Sequence, residues 1–180
     1  MISIINDFIK ADDIKKLLTL IGKAKPKDLD HEVPNHKNYT PSKILDENNN
    51  SEIFSLVNSY IDSIHREINT VFSIDVHKET DYSVVVYSEG EYLHPHFDAM
   101  TDKYHENRTP NGHESRDISS VLYLNDDYLG GVLGFPFLNL SIKPPAGCLV
   151  IFPSSEKYTH LVDPIEKGLR YIVPQFWCIK

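Results

Sequence analysis

The stretch YLHPHFDAM, residues 92–100, puts His94, His96 and Asp98 into one short extended segment directly after the glycine of YSEGE. Alternate side chains of a strand share a face, so His96 and Asp98 project to the same side while Phe97 points the other way. Imidazole and carboxylate together suit a transition metal. Two histidines and one carboxylate that leave one octahedral face open form the ligand set of a non-haem iron centre that must admit further ligands. Such a set needs a second histidine from elsewhere in the chain. His160, in FPSSEKYTHLVDPIEKGLRY, is the leading candidate: it follows an apolar run and a turn, and Arg170 stands ten residues later where another strand begins. His94 shares the face of His96 in an ideal strand and competes for the same place. The other six of the nine histidines lie in helical or polar segments and read as solvated.

The elements that must position these groups change character partway along the chain. MISIINDFIKADDIKKLLTLIGKA reads as a short strand, a turn at Asn6-Asp7 and a helix. The helix carries Ile14, Leu17, Leu18 and Ile21 at i, i+3, i+4, i+7, with Asp12 or Asp13 placed to cap it. Residues 25–50 show no clear period and read as loop. SEIFSLVNSYIDSIHREINTVF gives a second amphipathic helix, with Ile53, Leu56, Val57, Tyr60, Ile61, Ile64, Ile68 and Val71 on one side and Ser51 as its cap. From residue 80 onward DYSVVVYSEG, RDISSVLYLN, GGVLGFPF, LSIKP, GCLVIFP and GLRYIVPQFWCI are short β-branched and aromatic runs separated by turn residues. Such spacing predicts a barrel or sandwich with the two helices packed against it. One domain over 1–180 is expected, with helical support in 1–75 and a β-core in 80–180. The long polar connection at 99–115 reads as a lid or binding loop.

Composition narrows the classes of function. At 180 residues with 41% hydrophobic and 11% aromatic content, the chain can bury one core without disulfides. Cys148 and Cys178 both sit in apolar runs and read as buried thiols, which points to a reducing compartment. A formal charge of −8 disfavours nucleic acid, whose binding draws on Lys and Arg set against phosphates. No apolar stretch approaches the ~20 residues that span a bilayer, so no membrane partner is expected and a cytoplasmic location is.

Over residues 82–177, about half of the chain, these parts come in an order that resembles the 2-oxoglutarate- and Fe(II)-dependent dioxygenases, in their prolyl 4-hydroxylase-like branch. YSEGEYLHPHFD looks like the family's Tyr-x-x-Gly segment running into His-x-Asp. RDISSVLYLN resembles the next core strand, GGVLGFP the glycine pair and the strand after it, PPAGCLVIFPS the strand before the distal histidine, and HLVDPIEKGLRY the closing segment. The layout is similar to stand-alone bacterial and phage-encoded members. The resemblance implies a mainly β fold with flanking α-helices, a double-stranded β-helix of the jelly-roll, cupin-like kind with N-terminal supporting helices.

The same resemblance implies roles for residues. His96, Asp98 and His160 would hold Fe(II). Arg170 would grip the far carboxylate of 2-oxoglutarate, a task that suits a planar guanidinium that keeps its charge. The competing role for Arg170 is a surface pair with Glu166 or Asp163. Tyr87 and Tyr123 would donate hydrogen bonds to the same carboxylate, or else serve as core aromatics with the hydroxyl at the barrel mouth. Arg116, opening the RDISSVLYLN strand, would handle the substrate undergoing oxidation, its alternative being an edge pair with Asp117 or Glu114. Two departures from the family pattern stand out. Trp177 lies seven residues beyond Arg170 where relatives commonly show six, and Leu93 stands where relatives carry a tyrosine three residues before the first metal histidine.

The function these resemblances imply is hydroxylation of a C–H bond, of a peptidyl proline in a peptide or protein, with dioxygen consumed and succinate and carbon dioxide released. Fe(II), 2-oxoglutarate and ascorbate as reductant would be required. The alternatives are a hydroxylase of a free amino acid or other small molecule, a nucleic-acid demethylase that the net charge disfavours, and a non-catalytic jelly-roll that binds a ligand.

Overall fold

Strand β14 (Arg170–Ile179) is the longest among the described residues and organises the main sheet. It pairs antiparallel with β7 (Ile118–Tyr123), β5 (Val84–Tyr87) and β4 (Val76–Lys78). The sheet continues through β11 (Leu149–Pro153) to the N-terminal strand β1 (Ser3–Ile5) on one side, and through β3 (Lys43–Leu45) to β2 (Lys27–Asp28) on the other. A second sheet has the order β10 (Leu140–Ile142), β9 (Leu133–Phe135), β12 (His160–Val162), β6 (Leu93–His96). A two-stranded ribbon joins β8 (Leu129–Gly130) to β13 (Ile165–Lys167). This computed structural model describes residues 1–28, 43–78, 82–99 and 116–180. The architecture is the expected double-stranded β-helix: two antiparallel sheets with their inner faces together and two helices on the outside of the larger one.

Period-two alternation divides the core in two. Along β11 and β14, Leu149, Ile151, Val173 and Trp177 face the helices, while Val150, Phe152 and Ile172 face the second sheet. Helix α1 (Ala11–Ile21) buries Leu17 and Ile21, and α2 (Ser51–Phe72) buries Ile53, Phe54, Val57, Tyr60, Ile64 and Ile68 against the outer face. The inner core gathers Tyr87, Tyr123, Tyr128, Leu133, Phe135, Val162 and Ile165 between the sheets.

Several local expectations are corrected. Lys10 and Asn50 hold the N-cap positions, neither with a side-chain cap bond. Asp12 and Asp13 lie inside the first turn of α1, where their charge suits the positive end of the helix, and Asp13 accepts a hydrogen bond from Tyr60 at 2.5 Å. Ser51 is the first helical residue of α2 rather than its cap. The segment 25–50, read as loop, contributes β2 and β3, of which β3 pairs with β5 through Lys43, Ile44 and Leu45. Two- and three-residue strands are too short to show a period. Residues 100–115 of the expected lid lie outside the described residues. Cys148 and Cys178 are buried free thiols, and among the described residues no helix is long and apolar enough to cross a membrane.

Candidate metal centre and dicarboxylate pocket

Strands β6 and β12 lie side by side with His96 and His160 as direct partners, which closes the long sequence separation between them. Asp98 follows β6 by two residues. Ligand atoms of His96, Asp98 and His160 all fall within 4.8 Å of one another. The Nε2 atoms of His96 and His160 stand 3.3 and 3.7 Å from the two carboxylate oxygens of Asp98. His94 stays outside this group. Its ring packs edge-on to Tyr92, and its carbonyl oxygen contacts His96 Nδ1 at 2.9 Å.

The tautomer follows from these partners. His96 Nδ1 faces the His94 carbonyl and His160 Nδ1 the Tyr158 carbonyl at 3.1 Å. A carbonyl only accepts, so each Nδ1 carries the proton and donates, and in the neutral ring each Nε2 keeps its lone pair. Both lone pairs therefore point toward Asp98. Burial lowers the pKa of His160, which keeps it in the neutral, ligand-ready form. Burial also acts to lower His96, but the hydrogen bond and charge of Asp98 outweigh it and the net shift is upward. For Asp98 burial raises the pKa, and the opposing imidazoles and the Ser119 hydroxyl more than offset it, holding the carboxyl at about 2. Two neutral-capable imidazoles and one committed carboxylate make a donor set that fits Fe(II). Phe135 and Phe152 pack around the His160 ring, with centroids at 5.7 and 4.9 Å, and wall this end of the space with apolar surface.

Deeper between the sheets lies Arg170, 1% exposed. It sits opposite Tyr87 in the strand register, and its guanidinium carbon is 4.8 Å from the Tyr87 ring centroid and 5.1 Å from that of Tyr123. Nη2 donates to the Tyr123 hydroxyl at 3.2 Å, while Nε and Nη1 have no hydrogen-bond partner among the described residues. The surface pair with Glu166 or Asp163 is thereby excluded. A buried cation with spare donors is unfavourable unless an anion meets it. The pocket accordingly fits a carboxylate such as the distal one of 2-oxoglutarate.

Arg116 precedes β7, and its guanidinium carbon lies over Phe176 at 3.7 Å from the ring centroid. Phe176 pairs with Ser119 and stands six residues from Arg170, an even spacing that puts it on the inner face. Trp177 is on the other face: its ring stacks on His65 of α2 and its Nε1 donates to Ser120 at 2.8 Å. The odd spacing of seven from Arg170 thus settles its direction.

Sequence reasoning missed several residues here. Ser119, two buried positions into the strand, donates to Asp98 Oδ2 at 2.7 Å and is itself hydrogen-bonded to Ser154 at 2.7 Å. Its even spacing from Tyr123 was the available signal. Asn125 ties the turn after β7 to β14, donating to the Leu169 carbonyl at 2.7 Å and accepting from the Tyr171 amide at 2.8 Å. Tyr128, in the turn NDDYLGG, enters the same space without any periodic signal.

Fold and site together define an oxygenase of the metal-dependent, double-stranded β-helix kind. The chain belongs to the 2OG-Fe(II) oxygenase superfamily, whose domain model matches residues 82–178, and Fe(II) and 2-oxoglutarate are its cofactors. Human prolyl 3-hydroxylase 2 is 28% identical over 129 residues, which cover 68% of this chain and 17% of that protein, so the chain spans about a sixth of this relative's length. Among solved structures, the viral collagen prolyl hydroxylase of Paramecium bursaria Chlorella virus-1, in its 2-oxoglutarate complex, superposes with a TM-score of 0.68 at 19% identity, over 98% of this chain and 94% of that one. A Trichoplax adhaerens prolyl hydroxylase, in complex with a hypoxia inducible factor peptide fragment, gives 0.69 at 20% identity over 98% and 83%.

Proposed function

We propose that this chain hydroxylates a proline within a peptide, with 2-oxoglutarate as cosubstrate. The observation that carries the reading is the pairing of two unlike sites in one inter-sheet space: a His-Asp-His cluster beside Arg170, whose buried Nε and Nη1 have no hydrogen-bond partner among the described residues. A metal with open positions and a pocket for a dicarboxylate's far end are the two parts this chemistry needs. Proline as the target draws support from the relatives, which are prolyl hydroxylases, one of them solved with a peptide. A free amino acid finds no such support.

His96 Nε2, His160 Nε2 and the Asp98 carboxylate would hold Fe(II). Bound there, the iron would supply the oxidising power drawn from dioxygen that turns a C–H into a C–OH while 2-oxoglutarate loses carbon dioxide and becomes succinate. The chain's own part is positioning. Arg170 with Tyr87 and Tyr123 fixes the far carboxylate, which sets the direction of the cosubstrate. Phe135 and Phe152 exclude water from the side of His160. Arg116, whose guanidinium lies over Phe176, would donate to a peptide carbonyl near the target proline.

The test is incubation with Fe(II), ascorbate, 2-oxoglutarate and a proline-rich peptide library, followed by mass spectrometry. Expected is a gain of one oxygen on proline, with hydrolysate chromatography separating 3- from 4-hydroxyproline and succinate released in step. Oxygen gain on free amino acids with none on peptides would overturn the peptide assignment. Arg116→Ala should lose coupled hydroxylation while retaining 2-oxoglutarate binding and slow uncoupled decarboxylation.

A further inference from the structure

We propose that Tyr128 is a third phenol of the cosubstrate pocket, donating its hydroxyl to the same carboxylate that Arg170 holds, and so favouring a dicarboxylate over a monocarboxylate. The inference rests on the assignment of Arg170 to that carboxylate. Among the described residues, buried side-chain nitrogens and oxygens without a hydrogen-bond partner are few, and half of them gather here: Tyr128 Oη, Arg170 Nε and Arg170 Nη1. The tyrosine is 2% exposed, so its hydroxyl cannot turn to bulk water. Leaving a buried hydroxyl unpaired is unfavourable, which makes the geometry a poor packing solution and a good ligand site.

Three features hold Tyr128 in that place. Lys143 Nζ donates to the Tyr128 carbonyl at 2.7 Å and lies 4.7 Å from the ring centroid, fixing the residue from outside. Gly131, at φ +64°, separates the ring from the arginine stem: a Cβ there would come within 2.9 Å of Tyr128 Cε2 and 3.3 Å of Arg170 Cδ. Only glycine leaves the two side chains in adjacent positions. Asn125 then bonds on both sides of Arg170, at Leu169 and Tyr171, so the turn bearing Tyr128 and the strand bearing Arg170 form one frame.

The chemistry of the complement follows. All three unpaired atoms carry protons to donate. Burial raises the phenol's pKa, and the charge of Arg170 and its hydrogen-bonding approach to the phenol oxygen do not cancel this, so the hydroxyl keeps its proton to donate at neutral pH. A carboxylate accepts at about four lone-pair sites and donates none, so one group can meet a guanidinium and a phenol together. A methyl group in its place leaves all of these donors unmet.

The experiment is calorimetric titration of the full chain loaded with Mn(II), without turnover, using 2-oxoglutarate and 2-oxopentanoate, which has a methyl group where the far carboxylate stands. Tyr128→Phe should bind 2-oxoglutarate roughly tenfold or more weakly, the size of one hydrogen bond to a charged acceptor, with 2-oxopentanoate affinity unchanged. Equal weakening of both ligands would mean that the hydroxyl only supports packing, and no change in either would remove it from the site; each result overturns the proposal. Arg170→Gln is the separate arm. If it leaves 2-oxoglutarate affinity intact, the assignment beneath the proposal fails; if it weakens binding strongly while Tyr128→Phe does not, only the role of Tyr128 fails. Melting curves of both variants establish that they fold.

Discussion

Ile172 and Val173 are neighbours in β14, yet one belongs to the core between the sheets and the other to the core beneath the helices. The helix side is closed by side-chain partners: Trp177 Nε1 meets Ser120, the Tyr60 hydroxyl meets Asp13, and His65 Nε2 lies 2.8 Å from the Val76 carbonyl. On the inner side the buried donors of Arg170 and Tyr128 are left open, and a carboxylate is held between two imidazoles. Gln175 departs from this division, since it leaves both ends of its amide unpaired on the helix parity, and nothing in the structure explains it. The contrast separates two uses of buried polarity. Where a fold needs only stability, polar atoms are matched within the chain; where it must receive a ligand, some are matched only by what arrives.

If the division is real, substitutions on the two faces break different properties. The largest effect is expected at the metal trio. Replacing His160 or Asp98 with Ala should abolish turnover and weaken Mn(II) binding by more than the ~10–100-fold typical of outer-shell changes, while the metal-free chain stays folded. Titration calorimetry and thermal melts check both halves. Retained activity in His160→Ala would return His94 to consideration as ligand.

Next in size is the helix face. Trp177→Ala removes a fully buried ring from between α2 and the sheet and should destabilise by about 3–5 kcal/mol in urea, with 2-oxoglutarate affinity of the folded protein unchanged. A selective loss of cosubstrate affinity would show that the two faces are coupled. Arg170→Met tests the opposite case. It should lose on the order of 2–5 kcal/mol of 2-oxoglutarate binding, yet the ligand-free chain should melt no lower than the parent, because an underpaired buried cation has been replaced by an apolar side chain.

Sequence showed the faces better than it showed the ends. Residues 84–87, 118–123, 149–153 and 170–179 are long enough, and β-branched enough, to read as strands from their residue types alone. Arg170 and Phe176 share a face by arithmetic, and the same arithmetic turns Trp177 toward the helices. His160 was harder, because its strand has three residues and its pairing with His96 depends on a return of the chain that no local period encodes. The helix caps failed because the good capping residues Ser51, Asp12 and Asp13 stand one, two and three residues past the N-caps. Tyr128 was invisible for a different reason: it lies in a turn, where side-chain direction depends on backbone angles such as the positive φ of Gly130 and Gly131 rather than on spacing.

The smallest effect expected is also the one that reaches furthest into the comparison, because Ser119 does for Asp98 what internal partners do on the helix face. Its hydroxyl donates to Oδ2 at 2.7 Å and is linked to Ser154, so one carboxylate oxygen is held by the chain while the group as a whole stays free to serve a metal. Ser119→Ala keeps the strand and removes this bond together with the link to Ser154. Mn(II) affinity should fall by roughly tenfold, the low end of losses seen when a partner of a metal ligand is removed. Acid should reveal the same bond without metal. Asp98 is held at about 2 against an ordinary 3.8, so its contribution to stability is complete above 3.8 and is lost as pH falls toward 2. Losing the serine donor lets the folded-state pKa drift back up, and the metal-free variant should unfold at a higher pH than the parent. An unchanged acid midpoint together with unchanged Mn(II) affinity would mean that the two imidazoles alone set the carboxylate, and that the inner face needs no support of the kind the helix face relies on.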